Sequence, residues 1–242
     1  MSIPSLELPA FFKVAPAVFV AGSANLLAKN ALPPHWVQTK AIEVSAPVTN
    51  RLWHGCTQTD GPCDDEPVTD VSWYEICGRW TSGGFVPGFL QKLEAGLGYG
   101  RDGSGLRLLS SEEFELISRG PPRNVDQRDL GDVSQLSDLE NFICRLEDGA
   151  EILSGPGERR VLFAWSARAA ANFSVPQIGE LTEWTSSDFR MILSTKGKPK
   201  FKVVRGAACR DRDGNYYAAS RSSAVPDASL GIGFRLVRPL QP

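Results

Sequence analysis

The stretch from Val203 to Pro239 constrains this chain more than any other. It opens on a β-branched pair followed by Arg205-Gly206, and closes on Gly231-Ile232-Gly233-Phe234-Arg235-Leu236-Val237. Both ends read as short buried strands, apolar runs bounded by glycine. Between them lie Arg, Asp, Asn, Tyr, Ser and Ala, with a turn signal at Pro226-Asp227. Two buried strands that hold a long polar insert make a scaffold that presents a surface, and function is expected to reside on that insert.

Burying those strands requires a core, and 242 residues with 42% apolar content are enough to build one. The 23 glycines and 17 prolines favour short elements joined by turns over a helical bundle. A formal net charge of −2 gives no electrostatic reason to expect nucleic acid or an anionic membrane as partner. No apolar run reaches the roughly eighteen residues of a membrane span. Phe11–Ala28 is interrupted by Lys13, Pro16, Ser23 and Asn25 and has no basic segment before it, which argues against a signal peptide. The five cysteines show no CxxC pairing and are expected as free thiols of a cytoplasmic protein. A Cys56–Cys63 bridge is the alternative in an exported chain.

In chain order, Ala17–Ala21 reads as a strand, and His35–Val44 alternates as a longer one. Thr49 is an N-cap for a short helix through Trp53. Ser72 and Glu75 form a capping box for a helix that places Trp73, Ile76, Cys77 and Trp80 on one face and ends at Ser82-Gly83-Gly84. The glycine-rich span Phe85–Gly105 has no clear period. Ser110 and Glu113 form a second capping box, and that helix stops before Gly120-Pro121-Pro122. Residues 121–160 are polar and acidic and are expected to be an insertion, with a helix over Ser137–Leu146. Val161–Trp165 and Ile178–Thr185 read as strands. The expected class is α+β in a single domain: two helices, short irregular antiparallel strands and much loop. Trp73, Trp80, Trp165 and Trp184 are expected in the core. His35 and His54 have no carboxylate or second histidine at ligand spacing, so neither reads as a catalytic base.

Several segments together resemble one family. Phe19-Val20-Ala21-Gly22-Ser23, Pro47-Val48-Thr49-Asn50 and Pro67-Val68-Thr69-Asp70-Val71-Ser72-Trp73 look like its F-x-M-G-S, VTN and PVxxVSW motifs. Arg107–Glu115 is a degraded RLPTEAEWE, Glu183-Trp184-Thr185-Ser186 matches EWTS, Arg205-Gly206-Ala207 is similar to RGG, and Gly233–Val237 matches GFRLV. In this order, and across nearly the whole chain, they resemble the formylglycine-generating enzyme, or sulfatase-modifying factor, family, a branch of the C-type lectin fold. The resemblance implies that fold. It does not carry function with it, because site and fold are separate.

In that family copper is held by two cysteines just after the RGG strand. Here only Cys209 lies there, the next positions being Asn215, Tyr216 and Tyr217. One thiolate does not replace the pair that Cu(I) needs, so copper chemistry is not expected. Iron-dependent relatives use a histidine cluster, and this chain has only His35 and His54. Two branches without the copper pair remain: variable proteins of diversity-generating retroelements, which use the fold as a frame for a ligand-binding face, and oxidoreductase relatives of natural-product pathways. The resemblance also implies a structural Ca2+ held by Glu183 with the carbonyls of Ile178, Gly179 and Leu181, although Glu180 stands where the family has Asn.

The leading expectation is a non-catalytic domain that binds a protein or small-molecule ligand through the 205–235 region. Arg210, Asp211, Arg212, Asp213, Asn215, Tyr216 and Tyr217 would form the contact set, since Tyr with Arg, Asp and Asn is the chemistry of a paratope. Against it stands a plain solvated loop around Asp213-Gly214-Asn215. The rival expectation is an enzyme acting on a peptide or natural-product precursor, with Cys209, Asp211, Tyr216 or Glu183 doing the chemistry. A lone Cys among alanines is also simply a small core residue. A third reading is an accessory subunit whose face docks a larger partner.

Overall fold

The structure is a computed structural model, and it describes residues 7–22, 30–32, 35–98, 105–119, 143–147, 150–155, 158–163, 175, 178–189, 201–209 and 219–240. It is a mixed α+β arrangement of short strands and few helices. Strands β1 (Phe11–Val14), β2 (Ala17–Ala21), β3 (His35–Thr39) and β4 (Ile42–Pro47) come first. The long strand expected over His35–Val44 is therefore two, broken at Lys40-Ala41. Helices α1 (Asn50–Thr57) and α2 (Trp73–Cys77) follow, then the hairpin β5 (Arg79–Thr81) and β6 (Gly84–Val86), α3 (Phe89–Gly96) and α4 (Ser111–Arg119).

Three strands, β7 (Ile143–Glu147), β8 (Ala150–Gly155) and β9 (Glu158–Phe163), form an antiparallel sheet of their own in order β7-β8-β9. The helix expected over Ser137–Leu146 is not formed at residues 143–146, which belong to β7; residues 137–142, and Trp165, lie outside the described residues. The chain closes with β10 (Thr182–Asp188), β11 (Lys202–Gly206), β12 (Ser222–Ala224), β13 (Ile232–Gly233) and β14 (Arg235–Pro239). β14 pairs with β4 and completes the sheet β1-β4-β14, so the last strand closes on the first part of the chain. The other central sheet runs β12-β11-β10-β13, with β10 and β13 parallel and the remaining pairs antiparallel.

The caps read from sequence are formed. Thr49 Oγ1 accepts from the Leu52 amide at 3.4 Å. Ser72 Oγ accepts from the Glu75 amide at 3.2 Å while Glu75 Oε2 accepts from the Ser72 amide at 2.8 Å. The Ser110–Glu113 box is equally complete, and Glu113 also takes both terminal nitrogens of Arg107 at 2.6 Å each.

Neighbouring residues supply two apolar clusters. Successive side chains on an extended segment point to opposite sides, so Leu108 and Leu236 enter one cluster while Leu109 and Val237 enter the other. The first cluster joins Trp53, Ile76, Phe89, Leu93, Trp184 and Phe234; the second joins Val14, Ile42, Val44, Phe114 and Ile117. Main-chain hydrogen bonds in both directions between Arg107 and Val237, at 2.9 and 2.8 Å, hold the Leu108–Leu109 segment in register with β14.

One expectation about the core fails. Trp184 is buried and its Nε1 donates to the Val71 carbonyl at 2.7 Å, and Trp73 is partly buried with Nε1 on the Thr185 carbonyl at 3.1 Å. Trp80 is 80% exposed. The helical period that put it on the Trp73/Ile76 face stops at Gly78, which sits at φ 77° and turns the chain into β5. No side chain fits there, because a Cβ on Gly78 would come within 2.5 Å of the Phe85 ring and 2.7 Å of the Val86 carbonyl.

Helix α3 arises from the span without a clear sequence period, and it carries Phe89 into the centre of the first cluster. The Phe89 ring stacks on Trp53 at 5.1 Å and meets Phe234 edge-on at 5.3 Å. Phe89→Ala is expected to cost about 3–5 kcal/mol in urea denaturation, the range for removing a fully buried aromatic ring. A cost below about 1 kcal/mol would mean that α3 does not pack as described.

Candidate functional site

Residues 210–218 are bracketed by β11 with a 3-10 turn at Ala207–Cys209 on one side and by Ala219–Ala224 on the other. Arg210, Asp211, Arg212, Asp213, Asn215, Tyr216 and Tyr217 all lie outside the described residues. The residues on either side of this segment, 201–209 and 219–240, are among the described ones.

Arg205 is the central piece. It is 1% exposed, and its guanidinium is surrounded by acceptors. Nε donates to Ser111 Oγ at 3.1 Å, and Nη2 donates to the Ser111 carbonyl at 2.9 Å and to Glu115 Oε2 at 3.0 Å. Nη1 donates to the Ser220 carbonyl, which lies on the far side of the insert. Glu115 uses its other oxygen to accept from the Gly22 amide at 2.8 Å. One buried cation thus ties the start of the insert to its end, to the first turn of α4 and, through Glu115, to the end of β2.

Arg221 adds a second link. Its Nε donates to the Asn30 carbonyl at 3.0 Å, Asn30 Nδ2 donates back to the Arg221 carbonyl at 3.2 Å, and its guanidinium lies 5.2 Å from the Phe189 ring centre. Burial, reinforced by the neighbouring charge of Arg205, pushes the Arg221 pKa down.

The near end of the insert is fixed by close backbone approach. Gly206 sits at φ 83°, and a Cβ there would lie 1.8 Å from the Leu181 carbonyl oxygen, so only glycine fits. The Ala207 amide donates to that carbonyl at 2.9 Å, and the Ala208 amide donates to Thr182 Oγ1 at 3.1 Å. Cys209 is 1% exposed, with Sγ directed at the Val204 carbonyl at 3.5 Å. Its thiol faces the sheet, not solvent.

Glu183 is fully buried on β10 beside Arg235 of β14, with Arg235 Nε donating to Oε2 at 2.8 Å. Among the described residues, Oε1 and Arg235 Nη2 are buried without a hydrogen-bond partner. Burial raises the Glu183 pKa, against the opposing pull of Arg235. Of the other residues that the family resemblance assigns to Ca2+, Ile178 and Gly179 are buried, with Gly179 at φ 82°, and the Leu181 carbonyl is engaged by Ala207. Glu180 is exposed. Arg235 engages Glu183 Oε2 and leaves Oε1 open, so a Ca2+ ion at this position would share the carboxylate with a guanidinium.

His54 lies on α1 with Nδ1 2.9 Å from Thr59 Oγ1. Cys56 and Cys63 are not bridged: Cys56 Sγ faces the Phe89 carbonyl at 3.8 Å and Cys63 Sγ the Gly61 carbonyl at 3.7 Å.

The sequence reading placed interest in the insert and in Glu183 but gave no role to Glu115, Ser111 or Ser220. A signal for Glu115 exists: a carboxylate inside the apolar run Phe114–Ile117 is buried on a helix, and a buried carboxylate needs a cation.

Neither a family model nor a curated protein matches this chain. Among solved structures it is similar to Treponema denticola variable protein 1, over 98% of this chain and 97% of that one, with a TM-score of 0.56 and 17% identity. CarF is similar over 98% and 100% with a TM-score of 0.52 and 16% identity. PvdO from Pseudomonas aeruginosa is similar over 96% and 95% with a TM-score of 0.50 and 14% identity. At such identities the likeness establishes a shared fold: the variable protein has the C-type lectin fold, and CarF and PvdO are of the formylglycine-generating-enzyme-like kind. Among the described residues no helix is long and apolar enough to cross a membrane.

Two predictions follow from this geometry. Arg235→Met leaves Glu183 as an unpaired buried carboxylate and is expected to cost about 3–5 kcal/mol by urea denaturation, while adding Glu183→Leu recovers most of the loss. Additive losses in the double variant would show that the two side chains do not act as a pair. Burial also pushes the thiol pKa up to about 11 at Cys56 and about 12 at Cys77, so both stay protonated at pH 8. In timed iodoacetamide labelling read by peptide mass spectrometry, exposed Cys63 should label well ahead of Cys56, Cys77 and Cys209. Fast labelling of Cys209 would contradict its burial.

Proposed function

We propose that this chain is a binding protein, with the 205–235 region as its recognition surface and a protein or small molecule as its ligand. Arg210, Asp211, Arg212, Asp213, Asn215, Tyr216 and Tyr217 are the proposed contact residues. The observation that carries this reading is the hydrogen bond from Arg205 to the Ser220 carbonyl, which clamps both ends of the insert to one buried group. A segment whose ends are fixed loses less conformational freedom on meeting a ligand, so more of its contact energy appears as affinity. The likeness in fold to a variable protein supports the same reading.

Similarity to CarF and PvdO keeps a second reading in view, an enzyme that modifies a peptide or natural-product precursor. Cys209 would be its nucleophile or redox thiol, with Asp211 and Tyr216 in acid–base roles. The burial of Cys209 against the Val204 carbonyl weighs against a reactive thiolate in this conformation.

The test uses the full chain on a sensor surface. Proteins and metabolites captured from the source organism are compared between the wild type and a Tyr216→Ala/Tyr217→Ala variant. The expected result is a saturable partner whose Kd weakens about thirtyfold or more in the variant, as for a central aromatic anchor, with the melting temperature unchanged. Equal capture by both proteins would overturn the assignment of the face. Turnover of a captured molecule, abolished by Cys209→Ala, would replace it with the enzyme reading.

A further inference from the structure

Arg205 and Arg235 are buried arginines that each meet a carboxylate, Glu115 at 3.0 Å and Glu183 at 2.8 Å. Arg221 is buried as well, at 6% exposed, yet among the described residues no carboxylate oxygen lies within 4.0 Å of its guanidinium. Buried charges are ordinarily paired, because a lone ion in the interior has given up its hydration for nothing in return. Arg221 is short of a counter-ion.

Its position is fixed from three sides. Arg221 follows Ser220, whose carbonyl is held by Arg205, and leads directly into β12. Its Nε donates to the Asn30 carbonyl at 3.0 Å, and Asn30 Nδ2 donates to the Arg221 carbonyl at 3.2 Å. The guanidinium carbon lies 5.2 Å from the ring centre of Phe189, whose own amide donates to the Phe201 carbonyl at 2.9 Å. The Asn30 carbonyl and the Phe189 ring orient the guanidinium, but neither carries the full charge that would neutralise it. Of the side chain's N–H donors, only that of Nε has a hydrogen-bond partner among the described residues. The edge formed by Nη1 and Nη2 is left free.

The charges around Arg221 do not fill that place. After burial, the largest influence on its pKa is the positive charge of Arg205, which lowers it; Glu112, Glu115 and Cys209 act in the opposite sense. Glu115 is engaged by Arg205 and by the Gly22 amide, and Cys209 Sγ is directed at the Val204 carbonyl. Glu112, half-buried in the first turn of α4, stands beyond ion-pair distance. An anion arriving at the free edge would be drawn by two guanidinium groups. Glu112 would oppose it, whereas the charge of Glu115 is already met by Arg205.

From this geometry we infer that Arg221 is an oxyanion-binding residue at the foot of the insert, and that the ligand presents a carboxylate or phosphate group to its Nη1–Nη2 edge. Both groups carry paired oxygens that match the guanidinium fork, so either is held by two parallel charge-assisted hydrogen bonds. A neutral or cationic group would leave the buried charge unpaired. One recessed fork selects a single group, whereas a polyanion such as nucleic acid calls for a row of exposed cations. The inference rests on the 205–235 region being the recognition surface, and it adds the charge of the ligand to that reading.

The test uses the whole chain, isotope-labelled for NMR, with acetate and inorganic phosphate as probes and chloride at matched ionic strength as the control. The Arg221 Nε–H signal is identified by its loss in Arg221→Lys and followed through each titration. The expected result is a saturable shift with a Kd of about 10 mM or tighter for at least one anion, and none with chloride. The tighter anion names the group that the ligand carries. Arg221→Lys keeps the charge but not the fork, so the rise in melting temperature that the anion gives the wild type should be lost. Glu112→Gln alters a partly exposed side chain, keeps the fold, and should tighten binding about threefold by removing the opposing charge. It serves alone where Arg221→Lys does not fold. No saturable shift with either anion up to about 100 mM would overturn the inference, as would an equal rise in melting temperature in Arg221→Lys. So would a response confined to Asp211→Asn/Asp213→Asn, which would mean that the chain's own insert supplies the counter-ion. Partner capture lost in Tyr216→Ala/Tyr217→Ala without any anion response would discard this inference and keep the recognition surface; an anion response with capture unchanged by those substitutions would do the reverse.

Discussion

The burial of the Arg205 guanidinium decides how the two halves of this fold meet. Removing a guanidinium from water is expensive by several kcal/mol, and the Glu115 carboxylate alone would do little better than offset it. What makes the site workable is that hydrogen bonds to Ser111 and Ser220 add to that pairing. These acceptors come from α4 and from the chain beyond the insert, elements remote in sequence from β11. A hydrophobic residue of similar volume could fill the space as stably. It could not tie Ser220 to Ser111. The cation is therefore better understood as a device for geometry than as a source of stability.

The pair Glu183–Arg235 plays the corresponding part beside it, Glu183 standing across from Arg205 in the β10–β11 register and joining β10 to β14, but it is less completely satisfied. Glu183 Oε1 and Arg235 Nη2 lack partners among the described residues, and burial raises the Glu183 pKa. By linkage, a carboxyl whose pKa is raised by folding favours the folded state most at low pH and loses that contribution as pH rises through the raised value. The Arg205 network carries no such orphan atoms among the described residues. The insert is thus anchored by the better-satisfied of the two buried cations.

Much of the framework was legible in the sequence because its signals are local. Thr49, Ser72–Glu75 and Ser110–Glu113 cap the helices they were expected to cap, since a cap depends on side chains three residues apart. The Val203–Gly206 and Gly231–Val237 runs become β11, β13 and β14 for an equally local reason, an apolar run bounded by glycine. Helix α3 was not legible because Phe89, Leu90 and Leu93 sit among glycines that mask the period. β7 differs from the expected helix because Ile143-Cys144-Arg145-Leu146-Glu147 is short enough to suit either state, and its pairing with β8 selects the strand. Trp80 fitted the α2 stripe by spacing alone. Gly78 is a local stop signal at the end of α2, and its close packing with Phe85, Val86 and Gly88 turns the chain and sends Trp80 outward. The Arg205 network was beyond reach because Ser111, Glu115 and Ser220 become its partners through tertiary packing.

A frame of this kind separates what must stay fixed from what is free to change. Arg205, Gly206, Glu115 and Gly78 each occupy positions where a substitution meets backbone or leaves a buried charge, so their identities are set by the interior. Asp227, Trp80 and Leu230 meet no such restriction. Trp80 contributes to folding only through its cross-strand ring contact with Phe85, and Leu230 is 90% exposed. The interior therefore fixes the frame and leaves these surface positions unconstrained by packing.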